Sequence, residues 1–203
     1  MSDLKLVVAL RERTGAGMVD CKNALTEANG DIDKAAEILR AKGAVKAAKK
    51  AAERTASEGV VASYVHHNKK LAVLVELLCE TDFVARTDQF QALANDIAMQ
   101  VAAFNPEYVS PEQVPAEIVE KQRQSFLAEL AEDKKPDDVK AKIVEGKVNK
   151  WLSDICLTKQ SFFKDEALTI EQLVTDKVAT IGEKITIGRM VRFELAAKSG
   201  PIA

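Results

Sequence analysis

The sequence predicts an α+β fold from three observations. The first ~45 residues carry three short helical patterns separated by glycines. Residues 60–78 read as a β-hairpin, with a further strand pattern at 185–195. Long amphipathic stretches fill the space between them. The expected result is an N-terminal three-helix bundle, a helical linker, and a three-stranded antiparallel sheet backed by helices, two of them a helical hairpin.

Residues 2–14 suit a helix that Ser2 can cap, with Leu4, Val7, Val8 and Leu10 as its apolar stripe. Gly15-Ala-Gly17 breaks it. A second helix is expected from Met18 to Ala28, with Cys21, Ala24, Leu25 and Ala28 on one face. Asn29-Gly30 makes a turn, and Asp31 is placed to cap a third helix. That helix carries Ile32, Ala35, Ala36 and Leu39, and Gly43 is its expected stop. A bundle this small is only marginally stable alone. The Ala/Lys-rich residues 44–57 read as a helical linker, which divides the chain into 1–54 and an α+β core of 55–203. Lys42, Lys46, Lys49, Lys50 and Arg54 against Glu53 give this neighbourhood a local charge of about +4. RNA contact through Lys46, Lys49 and Lys50 is one reading. A solvated linker face is the commoner one, and no aromatics are interleaved for base stacking.

Val60–Val65 and Leu71–Leu78 flank His67-Asn68-Lys69-Lys70, a hairpin signature. His66 and His67 are the only histidines; neighbours on a strand face opposite sides, so they are expected at the turn's surface rather than sharing a metal. Glu76-Leu-Leu-Cys-Glu-Thr-Asp-Phe-Val-Ala-Arg86 then turns from strand to the helical pattern Phe90, Leu93, Ala94, Ile97, Val101. Asp82 and Phe83 therefore sit at a strand-to-helix corner. Such a corner projects side chains from a rigid base toward a partner. Local chemistry alone favours a plainer alternative: Thr81 or Asp82 caps the helix, and Phe83 is a staple packed back onto it.

The helix from Asp88 to Phe104 should end before Asn105-Pro106. Residues 107–138 hold nine acids against four bases, punctuated by Pro111, Pro115 and Pro136. Helices are expected near 116–133 and 137–154, the second with Val139, Ile143, Val144, Val148 and Trp151 inward, together a helical hairpin. Thr169 can cap a last helix carrying Ile170, Leu173, Val174, Val178 and Ile181, which Gly182 stops. Ile185–Leu195 completes the sheet.

A chain of 203 residues, 47% hydrophobic, can build one large or two small domains with a real core. Its net charge of −2 exerts no global pull on nucleic acid or membrane. The N-terminus lacks a signal-peptide pattern, and no apolar run approaches the ~18 residues of a membrane span. Cys21, Cys79 and Cys156 are odd in number and far apart, and read as small buried hydrophobes in a reducing, cytoplasmic setting. No phosphate-binding loop, GxSxG elbow or HExxH pair occurs, and Gly15-Ala-Gly17 lacks the third glycine of a dinucleotide fingerprint. The expectation is a non-enzyme with no cofactor and no metal.

Residues 10–25, Leu-Arg-Glu-Arg-Thr-Gly-Ala-Gly-Met-Val-Asp-Cys-Lys-Asn-Ala-Leu, together with Glu80-Thr-Asp-Phe-Val-Ala-Arg86, closely resemble bacterial elongation factor Ts. The resemblance continues through Gly43-Ala-Val-Lys-Ala-Ala-Lys-Lys50, the Ile181-Gly-Glu-Lys-Ile185 run and Arg192-Phe-Glu194, in order along essentially the whole chain. Two long motifs about 60 residues apart are a specific signal. Val19 stands where the family usually has Met, and Leu78 where it usually has Asn.

The resemblance implies a ubiquitin-associated-like N-terminal bundle and a guanine nucleotide exchange factor for elongation factor Tu. It makes Thr81, Asp82, Phe83 and Val84 the segment that disturbs the partner's Mg²⁺ and phosphate site. It makes Arg11, Met18 and Val19 the docking patch of the bundle, although Met18 serves equally well as a core residue. One sheet-forming hairpin and one such corner indicate the short form with a single core, which implies a homodimer and a two-to-two complex. Neither membrane nor direct nucleic-acid contact is expected. The alternatives are a translation-associated RNA-binding or ribosome-docking module, and a helical scaffold whose bundle binds other helices.

Overall fold

A computed structural model describes residues 3–130 and 136–195. The chain opens with α1 (Asp3–Thr14), α2 (Met18–Glu27) and α3 (Ile32–Glu53). The hairpin follows as β1 (Glu58–Val65) and β2 (Leu71–Cys79), then the one-turn α4 (Asp82–Ala85) and α5 (Asp88–Phe104). Next come α6 (Ala116–Glu129), α7 (Asp137–Ile155), a short hairpin β3 (Ser161–Phe162) and β4 (Asp165–Thr169), α8 (Ile170–Ile181) and β5 (Thr186–Glu194). The fold is α+β, with β1, β2 and β5 in one sheet in the order β1-β2-β5. Its ends are tied by His66 N–H to the Leu71 carbonyl at 2.9 Å and Leu195 N–H to the Lys70 carbonyl at 2.8 Å. Gly59 runs so close to β2 that a Cβ there would collide with the Leu77 carbonyl, and its φ of +150° suits glycine.

The residues form two compact units. The first takes the chain through Val60, with Leu77–Gln91 and Gln172–Thr186. Val7, Leu10, Cys21, Ala24, Leu25, Ala28 and Ala35 form the bundle core, with Met18, Ile32, Ala36 and Leu39 packed against it. Asp31 caps α3 as expected, its carboxylate accepting from Asp33 N–H at 3.0 Å and Lys34 N–H at 3.1 Å. Those bonds hold the Asp31 carboxyl below the usual range, Lys34 N–H contributing most. The expected α1 stripe is only half right: Val7 and Leu10 are buried, whereas Leu4 and Val8 are exposed. The proposed Ser2 cap lies outside the described residues.

Gly43 does not stop the third helix. α3 continues through it to Glu53, so the expected linker is the second half of one helix. Two facts explain this. Ala and Lys are strong helix formers, and at Gly43 the missing side chain accommodates α8: a Cβ there would lie 3.1 Å from the Ala179 Cβ. Gly15 serves similarly, with φ +68° and Thr180 Cγ2 at 3.0 Å from a Cβ placed there. The stop at Gly182 is as expected, with φ +92°. The Lys50 ammonium reaches from α3 to the end of α8, donating to the Gly182 carbonyl at 2.7 Å.

The second unit takes Val61–Glu76, Ala92–Glu171 and the chain from Ile187. Gln100, fully buried on α5, binds the β3–β4 hairpin. Its amide donates to Gln160 Oε1 at 3.2 Å and the Ser161 carbonyl at 3.1 Å, and accepts from Phe163 N–H at 3.0 Å. Sequence spacing does not mark this hairpin, because β3 is two residues long. Arg192 Nε donates to the Ala102 carbonyl at 3.3 Å, joining β5 to the end of α5. α6 packs on α7, with Lys147 to Glu129 at 2.5 Å across the pair. Within α7, Val144 and Val148 are buried, but Val139 is exposed and not inward. The far end of the expected 116–133 helix lies partly outside the described residues. Residues Val61, Val65, Leu74, Val191, Phe193 and Leu195 leave an apolar face of the sheet exposed.

Candidate functional site

The corner after β2 is built by Thr81. Its extended backbone and its hydroxyl, which accepts Val84 N–H at 3.4 Å, start α4. Thr81 thus takes the capping role that the sequence left open between it and Asp82. Asp82 instead pairs with Arg86 at 2.9 Å, one turn along. Phe83 is 80% exposed, so it is not a staple folded back on its helix. Val84 is half-buried and Ala85 buried, which anchors the turn. Gln91 Nε2 donates to the Ala85 carbonyl at 2.7 Å, holding α4 against the start of α5.

Below the corner, Cys79 is buried and its thiol donates to the Thr81 carbonyl at 3.2 Å. Burial pushes this thiol up, the Glu183 carboxylate adding to the effect, so it stays protonated and inert. Cys21 and Cys156 are likewise free and buried. Burial pushes Cys156 up to about 11.

Two carboxylates from opposite segments hold the corner. Glu183 accepts Glu80 N–H and Thr81 N–H, each at 3.0 Å, and the Thr81 hydroxyl at 2.6 Å. Glu80 accepts Lys184 N–H at 2.6 Å and the Arg54 guanidinium at 3.1 Å. The Lys184 N–H, then Arg54, hold the Glu80 carboxyl below the usual range. The tie therefore persists at neutral pH and is lost only as pH falls through that lowered value. Lys184 Nζ closes the set on the Arg54 carbonyl at 2.8 Å. Sequence reasoning missed this set. No local spacing links residue 80 to 183, although both lie in the motifs that carry the family resemblance.

On the bundle, Arg11 is exposed and Val19 is 71% exposed at the first turn of α2. Met18 differs: it is half-buried and packed against the bundle core, so it supports this surface from beneath. The corner and these residues belong to the same compact unit.

The basic stretch is largely engaged within the chain. Lys42 pairs with Glu27 at 2.5 Å, Lys46 with Asp20 at 3.5 Å, and Arg54 with Glu80, while Lys50 meets the end of α8. The His66 ring lies 2.9 Å from the Tyr64 hydroxyl. Contrary to the strict alternation expected of a strand, the His66 and His67 rings lie 4.2 Å apart, because β1 ends at Val65 and alternation lapses in the turn. Among the described residues, no cluster of His, Cys, Asp or Glu could hold a metal, and no helix is long and apolar enough to cross a membrane.

The corner thus presents an exposed aromatic, Phe83, on a hydrogen-bonded turn with the Asp82 carboxylate beside it. The family model described as Elongation factor TS matches residues 32–197. The chain is 54% identical over 191 residues to Elongation factor Ts of Carboxydothermus hydrogenoformans, covering 94% of this chain and 88% of that one. It is 53% identical over 193 residues to Elongation factor Ts of Thermosipho melanesiensis, covering 95% and 98%. To that of Fervidobacterium nodosum it is 52% identical over 191 residues, covering 94% and 96%. With a matched corner, bundle and sheet core, the chain belongs to the elongation factor Ts family.

Proposed function

We propose that the chain is a guanine nucleotide exchange factor of translation elongation, binding elongation factor Tu in its GDP form and promoting GDP release. The observation that carries this reading is Phe83, 80% exposed at a corner fixed on both sides. A large apolar ring held out in water by a rigid base has no role in this chain's own core. Inserted beside the partner's Mg²⁺ and phosphate site, it shifts a packed region between discrete arrangements. Asp82, Thr81 and Val84 accompany it, the Asp82 carboxylate disturbing the local hydrogen bonding. By linkage, a factor that favours the nucleotide-free partner weakens its GDP binding by the same ratio. No covalent step is needed, and the chain acts as a binding protein rather than an enzyme.

Arg11 and Val19, with Met18 beneath, provide the docking surface of the N-terminal domain, residues 1–54, and the core of 55–203 provides the exchange corner. Arg and Met are enriched at interfaces. The core pairs with a second copy through the exposed sheet face of Val61, Val65, Leu74, Val191 and Phe193, giving a two-to-two complex. The setting is the cytoplasm. The deciding experiment is release of fluorescent GDP from purified elongation factor Tu as this protein is titrated in. Release should accelerate to a plateau, and the chain alone should not hydrolyse GTP. An unchanged rate at saturating protein, with active partner, rules the reading out.

A further inference from the structure

We propose that Glu183, working with Glu80, is a positioning residue for exchange: the two carboxylates form a reciprocal clasp that fixes the angle at which Phe83 is presented. The inference rests on the exchange reading above. Successive N–H groups of Glu80 and Thr81, with the Thr81 hydroxyl, make a concave donor set of the kind that captures anions. The chain fills that set with its own Glu183 carboxylate. The exchange is mutual, because the Glu80 carboxylate accepts the Lys184 N–H at 2.6 Å. Each segment thus offers backbone donors and receives a side-chain acceptor. Charge-assisted bonds of this kind are short and directional.

The clasp controls the ring for a geometric reason. Thr81 is both the residue gripped and the N-cap of α4, and Phe83 is the second residue of that one-turn helix. A helix of four residues has too few internal bonds to orient itself. Buried Ala85 and the Gln91 bond hold its far end, while its start is set by the Thr81 cap, which Glu183 grips. Gly182, with φ +92°, ends α8 and turns the chain so that Glu183 meets the corner. Arg54 at the end of α3 grips the same Glu80, and Lys184 Nζ donates to the Arg54 carbonyl at 2.8 Å. The ends of α3, β2 and α8 therefore meet at one polar node, at the start of the one-turn helix that carries Phe83.

A wedge that is pre-aimed loses less freedom when it inserts, and a loose one spends binding energy on ordering. The clasp is therefore expected to act on the rate within the complex, whereas Arg11 and Val19 act on its formation. The test measures GDP release from elongation factor Tu against concentration for the wild-type chain, Glu183→Ala, Glu183→Gln, Phe83→Ala and the Phe83→Ala/Glu183→Ala double variant. Glu183→Ala should lower the plateau rate about tenfold while the half-saturating concentration moves less than about twofold. Glu183→Gln should recover most of the loss, because its amide oxygen accepts the two N–H groups and its NH₂ can donate to the Thr81 hydroxyl. In the Phe83→Ala background, removing Glu183 should add little, since the residue it aims is gone.

A plateau within about twofold of wild type for Glu183→Ala overturns the inference. So does a further loss in the double variant equal to that in the single, which would mean Glu183 acts independently of Phe83. Should Glu183→Ala fail to fold, Glu80→Ala opens the other half of the clasp while leaving the Thr81 cap in place, and its additivity with Phe83→Ala decides by the same criterion. A wild-type chain that leaves GDP release unchanged would instead overturn the exchange reading itself.

Discussion

Phe83, 80% exposed on the one-turn α4, departs from ordinary packing. Truncation of a buried staple would cost ~3–5 kcal/mol of folding stability, whereas an exposed ring should cost well under ~1 kcal/mol. Phe83→Ala is therefore expected to melt close to wild type while its GDP release slows severely. A melt paired with release kinetics checks it, and a large fall in melting temperature with normal exchange by the folded fraction would sink the wedge. Asp82 separates cleanly from Thr81 here, because Thr81 is the cap and Asp82 pairs with Arg86. The sequence placed both at the corner, since the apolar run of β2 and the period of α5 bracket them. It could not choose between them, because Thr and Asp are both good caps. Likewise Met18 reads equally well as core or contact until its neighbours are known.

At the scale of elements, α3 is instructive. A glycine after an apolar stripe usually ends a helix, yet α3 runs on from Ile32 to Glu53. Gly43 is retained for close approach, with the Ala179 Cβ 3.1 Å from where its own Cβ would be. Gly43→Leu should therefore destabilise the fold by about 1–3 kcal/mol through overpacking against α8. Gly43→Ala should cost much less, because a gain of about 1 kcal/mol in helix propensity offsets the tight contact. Denaturant melts of the two variants check the order, and equal stabilities would show that Gly43 faces open space. Because Lys50 reaches from the same helix to the last carbonyls of α8, the two elements are held at two points. That is why the expected linker behaves as packed structure rather than as a spacer.

For the whole molecule, the sheet strands leave Val61, Val65, Leu74, Val191 and Phe193 exposed, and clustered exposed apolar side chains mark interaction surfaces. Phe193, 67% exposed on β5, is the largest of these side chains. If the proposed dimer forms through this face, Phe193→Asp is expected to shift it to monomer in sedimentation velocity while the chain stays folded. A wild-type chain that sediments as a monomer at high concentration would show that this face has another use. The charge balance fits the same picture. Of Lys46, Lys49 and Lys50, which locally suggest RNA contact, Lys46 pairs with Asp20 and Lys50 meets the end of α8, and the neighbouring Lys42 and Arg54 pair with Glu27 and Glu80. Pairing of this kind weakens the concentrated field that phosphate binding uses.

The α+β class, the order of the main helices and strands, the Asp31 cap, the Gly182 stop, the buried cysteines and the family are all legible in the chain's local pattern. Periodicity, capping and turn chemistry act over a few residues and are written in local order. Long-range packing sets the rest: α3 passes through Gly43, Leu4, Val8 and Val139 face outward, the β3–β4 hairpin forms on Gln100, and Glu183 grips the corner at Thr81. Each of these depends on groups far apart in the chain meeting at bonding distance. The direction of a short helix, the tolerance of a glycine and the side that an apolar residue faces are fixed by what packs against them, which no local pattern encodes.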